Sequence, residues 1–181
     1  MNAPIRIQAS ALTYFEELTS AMAMLAEDER TLFVGQAVKY AGQAAFKTFG
    51  GVPMEKRIEM PVCEDFQVGF CTGLALQGYI PISFFPRWDF LIIAANQLIN
   101  HLDKLPLMGM RPKVIIRTAV GRTTPLDPGP QHCQNYTFPI RQMLKTISVF
   151  EILTADQVMP IYRLALECER SCIVVEHMEK Y

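Results

Sequence analysis

The chain has 181 residues, half of them hydrophobic and 19% charged, with a formal net charge of −1. That length suits one domain with a real core. The composition excludes a disordered chain, and so small a charge gives no electrostatic case for binding nucleic acid or an anionic membrane. A slightly positive mean hydropathy points to some apolar surface covered by a partner. No uninterrupted apolar run reaches the ~18 residues of a membrane span; the best stretch, 90–99, is broken by Asn96 and Gln97. The N-terminal residues lack the basic-then-apolar layout of a secretory signal. Cysteines 63, 71, 133, 168 and 172 are odd in number and form no C-x-x-C pair, so a reduced, cytoplasmic compartment is expected. Cys168, Cys172 and His177 are conceivable metal ligands, but a fourth is not evident, and no metal site is expected in this chain.

In chain order, Leu12, Phe15, Leu18, Met22 and Leu25 recur at helical spacing, with Ser10 or Thr13 able to cap the start. After a charged break at 27–30, residues 31–35 read as a short buried strand ending in glycine. Residues 36–56 are glycine-rich and irregular. A strand over 58–62 is limited by Pro61, and a helix follows over 65–76, with Gly69, Gly73 and Gly78 where another backbone could approach. Next come a strand over 80–85, a long helix over 88–105 turning Leu91, Ile92, Leu98, Ile99 and Leu102 to a core, and a strand over 113–118. Residues 119–135 form a loop with three prolines and two glycines; loops of that length are uncommon and often functional. A short helix over 136–144 and a strand over 147–152 precede a capping box at Thr154 and Gln157, which opens a helix to about residue 168. A strand over 172–176 ends the pattern. Short strands alternating with helices predict a single three-layer α/β domain, a mostly parallel sheet with helices on both faces, spanning 1–181.

Ligands of such sheets sit beyond the carboxyl ends of the strands. Glu64, the segment after Phe85 and the loop holding His132 all follow strands, so they can converge at one edge. There is no G-x-G-x-x-G, no G-x-x-x-x-G-K-[ST] and no G-x-S-x-G, which weakens nucleotide-binding and hydrolase explanations. Glu64 alone is weak evidence, because a carboxylate at a helix start is also what the helix dipole favours.

The ordered set of segments is more specific. Leu32-Phe-Val-Gly-Gln36, Arg57-Ile-Glu-Met-Pro-Val-Cys-Glu64, Val68-Gly-Phe70, Gly73-Leu-Ala75, Asp89-Phe90, Asn96-Gln97, Asn100, Ile116-Arg117 and Gly129-Pro-Gln-His-Cys-Gln134 span almost the whole chain. In this order they resemble the pyrimidine-binding domain of thiamine-diphosphate enzymes. The similarity is greatest to the beta subunit of the decarboxylating component of 2-oxo acid dehydrogenase complexes, and more distant to transketolases.

The resemblance implies roles residue by residue. Glu64 stands where the family's glutamate hydrogen-bonds N1′ of the aminopyrimidine. It thereby favours the imino tautomer that generates the thiazolium ylid, the nucleophile that attacks a 2-keto carbonyl. An apolar wall would favour the protonated carboxyl this needs. Val62 matches the position whose backbone carbonyl contacts the pyrimidine amino group, and Phe90 the aromatic that stacks on the ring. His132 matches a histidine near the reactive carbon that assists substrate binding or proton transfer. Arg87, Trp88 and Arg122 are further candidates for the substrate pocket. Taken singly, Phe90 reads as core and His132 as surface.

Departures from the pattern are Ala37 in place of an acidic residue, Cys133 in place of a serine, and 105–112 in place of a Ser-Gly-Gly segment. The G-D-G…N motif for Mg²⁺ and diphosphate is absent, and the sequence ends at Tyr181, where family beta subunits continue into another domain. The expectation is therefore a split enzyme. A diphosphate-binding alpha-type subunit would bring the Mg²⁺ ligands, thiamine diphosphate would lie at the interface of an α2β2 heterotetramer, and decarboxylation or ketol cleavage of a 2-keto substrate would be followed by transfer of the fragment. The alternatives are a beta subunit of a lipoamide-linked 2-oxo acid dehydrogenase and a non-catalytic assembly or regulatory subunit.

Overall fold

A computed structural model of the chain describes residues 11–121 and 127–181. Six strands, β1 (Thr31–Gly35), β2 (Arg57–Glu59), β3 (Ile80–Phe84), β4 (Ile115–Val120), β5 (Ser148–Glu151) and β6 (Cys172–His177), form one sheet in the order β2-β1-β3-β4-β6-β5. Every neighbouring pair is parallel. Parallel strands need crossovers, and the crossovers place helices on the sheet faces. Accordingly β3, β4 and β6 are buried at every residue, whereas the edge strand β5 is only half-buried throughout.

One face carries α1 (Tyr14–Ala26), α5 (Ala155–Glu167) and a 3-10 turn at Ala44–Phe49, which join Phe33, Ile82, Phe84, Ile115 and Val174 in one core. The other carries α2 (Glu64–Leu76), α3 (Trp88–Leu91) and α4 (Thr137–Met143), whose apolar sides meet Val34, Ile116, Ile173 and Val175. This is the three-layer α/β arrangement read from the alternation of strands and helices. α1 begins in a capping box: the Thr13 side chain accepts from the Glu16 N–H, and the Glu16 carboxylate accepts from the Thr13 N–H at 2.8 Å.

Some expectations are corrected. The strand expected over 58–62 stops at Glu59, because Pro61 has no N–H to continue the ladder. The long helix expected over 88–105 is an unbroken helical run over 88–102 whose winding changes along it: α3, a 3-10 turn at Ile92–Ala94, and a π-helical segment at Gln97–Leu102. This change of winding keeps Leu91, Leu98 and Leu102 in the core but turns Ile92 and Ile93 outward. Gly73 borders open space, and Gly78 serves as a positive-φ residue just past α2. Close approach occurs instead at Gly35, where a Cβ would lie 2.5 Å from the carbonyl of Phe84. Among the described residues no helix is long and apolar enough to cross a membrane.

Candidate active site at the carboxyl edge of the sheet

Four neighbouring strands each end in a residue singled out from the sequence or in one that supports it. β1 runs into Gln36, β2 into the turn before Glu64, β3 into Arg87 and Phe90, and β4 into Gly121 and the segment holding His132.

Glu64 is the first residue of α2 and only 4% exposed. Its Oε1 accepts the Gln36 side-chain amide at 3.1 Å. Two devices fix this pair. One turn along α2, the fully buried Gln67 amide donates to the Phe84 carbonyl at 2.9 Å and the Ser83 hydroxyl at 3.1 Å, docking the start of the helix onto the end of β3. In the loop after β1, the backbone N–H groups of Ala37, Val38 and Lys39 all donate to the Glu59 carboxylate, at 2.6, 3.1 and 2.8 Å. Three N–H groups converging on one carboxylate form an anion-holding nest. Here the anion is internal, and it sets the backbone that presents Gln36. Ala37 has φ +53° in this turn.

On the other side of the site, the Phe90 and His132 rings stack with centroids 5.1 Å apart. The His132 carbonyl accepts from Arg87 Nη1 at 2.8 Å, and the buried His132 Nδ1 has no hydrogen-bond partner among the described residues. A Cβ on Gly121 would fall within 2.6 Å of both the Arg87 guanidinium and that carbonyl, so only glycine leaves room for the strap.

Each sequence candidate can now be placed. Glu64, Phe90 and His132 lie at the same edge, and Val62 is on the exposed turn just before α2. Arg87 reaches the site as an internal strap, 9% exposed and bonded to backbone, rather than as a pocket cation. Trp88 does not line the site: it is fully buried, and its indole N–H donates to the Thr137 hydroxyl at 3.1 Å. Arg122 lies outside the described residues. Cys172 and His177 stand at opposite ends of β6, roughly 16 Å apart at the rise of a parallel strand, so they cannot share a metal. Gln36, Glu59, Gln67 and Gly121 are the residues that sequence reasoning missed. Gln36 and Glu59 had a signal, as members of the ordered motifs 32–36 and 57–64.

The structural comparison identifies the fold. The chain superposes on a split-gene transketolase solved as an inactive beta4 tetramer, with a TM-score of 0.70 over 92% of this chain and 51% of that one, at 20% identity. The fold is thus shared with that transketolase beta chain, as the resemblance implied. Sequence matches point the same way. The chain is 30% identical over 86 residues to the 3-methyl-2-oxobutanoate dehydrogenase subunit beta of Mycobacterium tuberculosis, and 28% identical over 99 residues to the mitochondrial 2-oxoisovalerate dehydrogenase subunit beta of Chaetomium thermophilum. These matches cover 44% and 51% of this chain but only 24% and 20% of the relatives. No family model matches the chain.

Proposed function

We propose that this chain is the pyrimidine-binding subunit of a split thiamine-diphosphate-dependent enzyme acting on a 2-keto substrate. A diphosphate-binding subunit would supply the Mg²⁺ ligands and complete an α2β2 assembly. The observation that carries this reading is the buried Glu64 carboxyl, held by Gln36 at the carboxyl edge of a transketolase-like sheet, with Phe90 and His132 on the neighbouring strand ends. The residues fit an aminopyrimidine: an acid for the ring nitrogen, an exposed backbone turn at Val62 for the amino group, and an aromatic ring for the face. The unpartnered His132 Nδ1 is a buried polar atom with capacity left for a ligand.

When bound, thiamine diphosphate supplies the carbon nucleophile and electron sink for breaking a bond beside the keto carbonyl, by decarboxylation or ketol cleavage, before the fragment passes to an acceptor. Glu64 holds the proton shared with the ring nitrogen. Gln36 keeps that carboxyl oriented, and Phe90 walls the ring. His132 binds the substrate oxygen or moves a proton there, with its backbone fixed by Arg87.

Calorimetry of thiamine diphosphate and Mg²⁺ binding, on this chain alone and then with its diphosphate-binding partner, tests the split site. Tight binding only in the mixture is expected; no binding to a folded, paired complex would make the chain a non-catalytic assembly subunit. Glu64→Gln should lower turnover of the reconstituted enzyme by about 10²–10⁴-fold, and unchanged turnover would remove its assigned role. The matches to dehydrogenase beta subunits favour a second reading, a lipoamide-linked dehydrogenase. Reductive acylation of a lipoyl domain by the complex separates that reading from a free-standing transferase.

A further inference from the structure

The amino edge of the sheet, opposite the Glu64–His132 row, has a charge pattern of its own. Arg30 immediately precedes β1, Tyr79 precedes β3, Arg111 and Lys113 lie in the segment before β4, and Arg170 lies in the turn before β6. Because β1, β3, β4 and β6 are consecutive in the sheet and all parallel, these residues come to one edge. Hydrogen bonds between the strand starts hold the row. The Ile80 N–H donates to the Arg30 carbonyl at 2.9 Å, the Cys172 N–H to the Val114 carbonyl at 3.0 Å, and Ser171 Oγ to the Pro112 carbonyl at 2.9 Å. Two clefts open along this edge. One of about 260 Å³ is lined by Arg111, Glu169 and Arg170, and one of about 300 Å³ by Arg30, Tyr79 and Lys113. Arg111 and Glu169 line both, so the two clefts adjoin. Each is at the lower end of the roughly 300–1,000 Å³ of small-molecule pockets.

Four cations therefore face one carboxylate, on a chain whose formal net charge is −1. They are held in different ways. Lys113 Nζ is fixed by the Leu166 and Cys168 carbonyls, neutral acceptors that leave its charge uncancelled. Arg30 is oriented by Asp28, which accepts from its Nε at 3.0 Å and its Nη2 at 2.7 Å. Arg111 meets Glu169 through one contact of 3.3 Å, with the two side chains 79% and 83% exposed; a pair so exposed contributes little and yields readily to a competing anion. Arg170 is exposed and forms no ion pair among the described residues. Guanidinium forks match the oxygens of a phosphate two at a time, and the half-exposed ring of Tyr79 borders the same space.

We propose that this edge binds the phosphate group of a small molecule, free phosphate or a phosphate monoester, on Arg111 and Arg170. The phosphate displaces Glu169 from Arg111, and Tyr79 borders the organic part of an ester. Arg30 and Lys113, already held by Asp28 and by backbone carbonyls, add positive potential to the clefts that draws the anion in. None of these residues takes part in the proposed cofactor chemistry, and the site does not depend on it.

Isothermal titration calorimetry of the full chain at low ionic strength tests this, with adenosine monophosphate, inorganic phosphate and adenosine as probes. Saturable binding that requires the phosphate and weakens as salt rises is expected, with none for adenosine. Arg111→Ala combined with Arg170→Ala should weaken it at least about tenfold. Glu169→Gln should tighten it by up to about fivefold, because the competing carboxylate is gone. All three side chains are exposed, so these variants keep the fold. Tighter binding of adenosine monophosphate than of phosphate would assign the organic part to the Tyr79 wall, and equal affinity would make free phosphate the ligand. No binding of either anion, equal binding of adenosine and its monophosphate, or unchanged affinity in the double arginine variant would overturn the proposal.

Discussion

Ala37 takes its positive φ because Glu59 collects three successive N–H groups, which forces the backbone around the carboxylate. A left-handed conformation costs a residue with a Cβ about 1–2 kcal/mol, while glycine loses about 0.5–1 kcal/mol of extra chain entropy on folding. Ala37→Gly should therefore stabilise the chain by about 0.5–1 kcal/mol in urea denaturation. A loss of stability would mean that the methyl group packs in a way the turn needs. Legibility at this scale was uneven. Glu64 could be singled out because its neighbours Arg57 and Pro61 form an ordered motif. Glu59, in the same motif, could not, because its partners are backbone groups 20–22 residues away in sequence, and backbone groups leave no residue-type signature.

Among the elements, the junction of the π-helical segment with the turn before β5 depends on one carboxylate. Asp103 is fully buried and accepts the N–H groups of Lys145, Thr146 and Ile147 at 2.8–3.1 Å, together with the Lys104 ammonium at 2.6 Å. Burial opposes its charge, yet the Lys104 ammonium and these N–H donors hold its pKa below the ordinary carboxylate value. A lowered folded pKa means that the unfolded chain takes up the proton first. The stabilisation is thus complete above the unfolded value near ~3.9 and is lost as pH falls through the lower folded one. Asp103→Asn should cost about 1–3 kcal/mol at neutral pH. It should also flatten the acid limb of a pH-dependent melting curve, and an unchanged limb would place the acid sensitivity elsewhere. The sequence marked this region as one helix because its apolar spacing is helical on average; the π winding at Gln97–Leu102 places Leu98 and Leu102 in the core shared with α2 and the sheet.

Across the whole molecule, the buried Arg117–Glu176 pair ties β4 to β6, to the 3-10 turn holding Thr48, to α5 through Tyr162 and to the C-terminal Tyr181. Arg117 is bidentate on Glu176 at 2.8 and 2.9 Å, donates to the Thr48 hydroxyl at 2.8 Å, and lies over the Phe49 and Phe84 rings. Tyr162 and Tyr181 donate to the same carboxylate. Burial opposes the Arg117 charge, but Glu176 raises its pKa overall. Arg117→Met would leave the buried Glu176 carboxylate without its cation, a loss of about 3–5 kcal/mol by thermal denaturation. Adding Glu176→Gln should recover much of it; if the single variant costs under ~1 kcal/mol, water reaches the pair and the network is not dry.

By itself the sequence determined the strand–helix alternation, hence a parallel sheet with helices on both faces, and the ordered motifs that point to Glu64, Phe90 and His132. Those are local properties: hydrophobic period, turn residues and spacing along the chain. Only the tertiary structure decided which residues hold the site in place, namely the Glu59 nest, the Gln67 dock and the Arg87 strap through Gly121. It also moved Trp88 from the expected pocket into the core. The physical reason is that these contacts join distant segments, largely through backbone groups that every residue carries, so nothing in the order of side chains announces them.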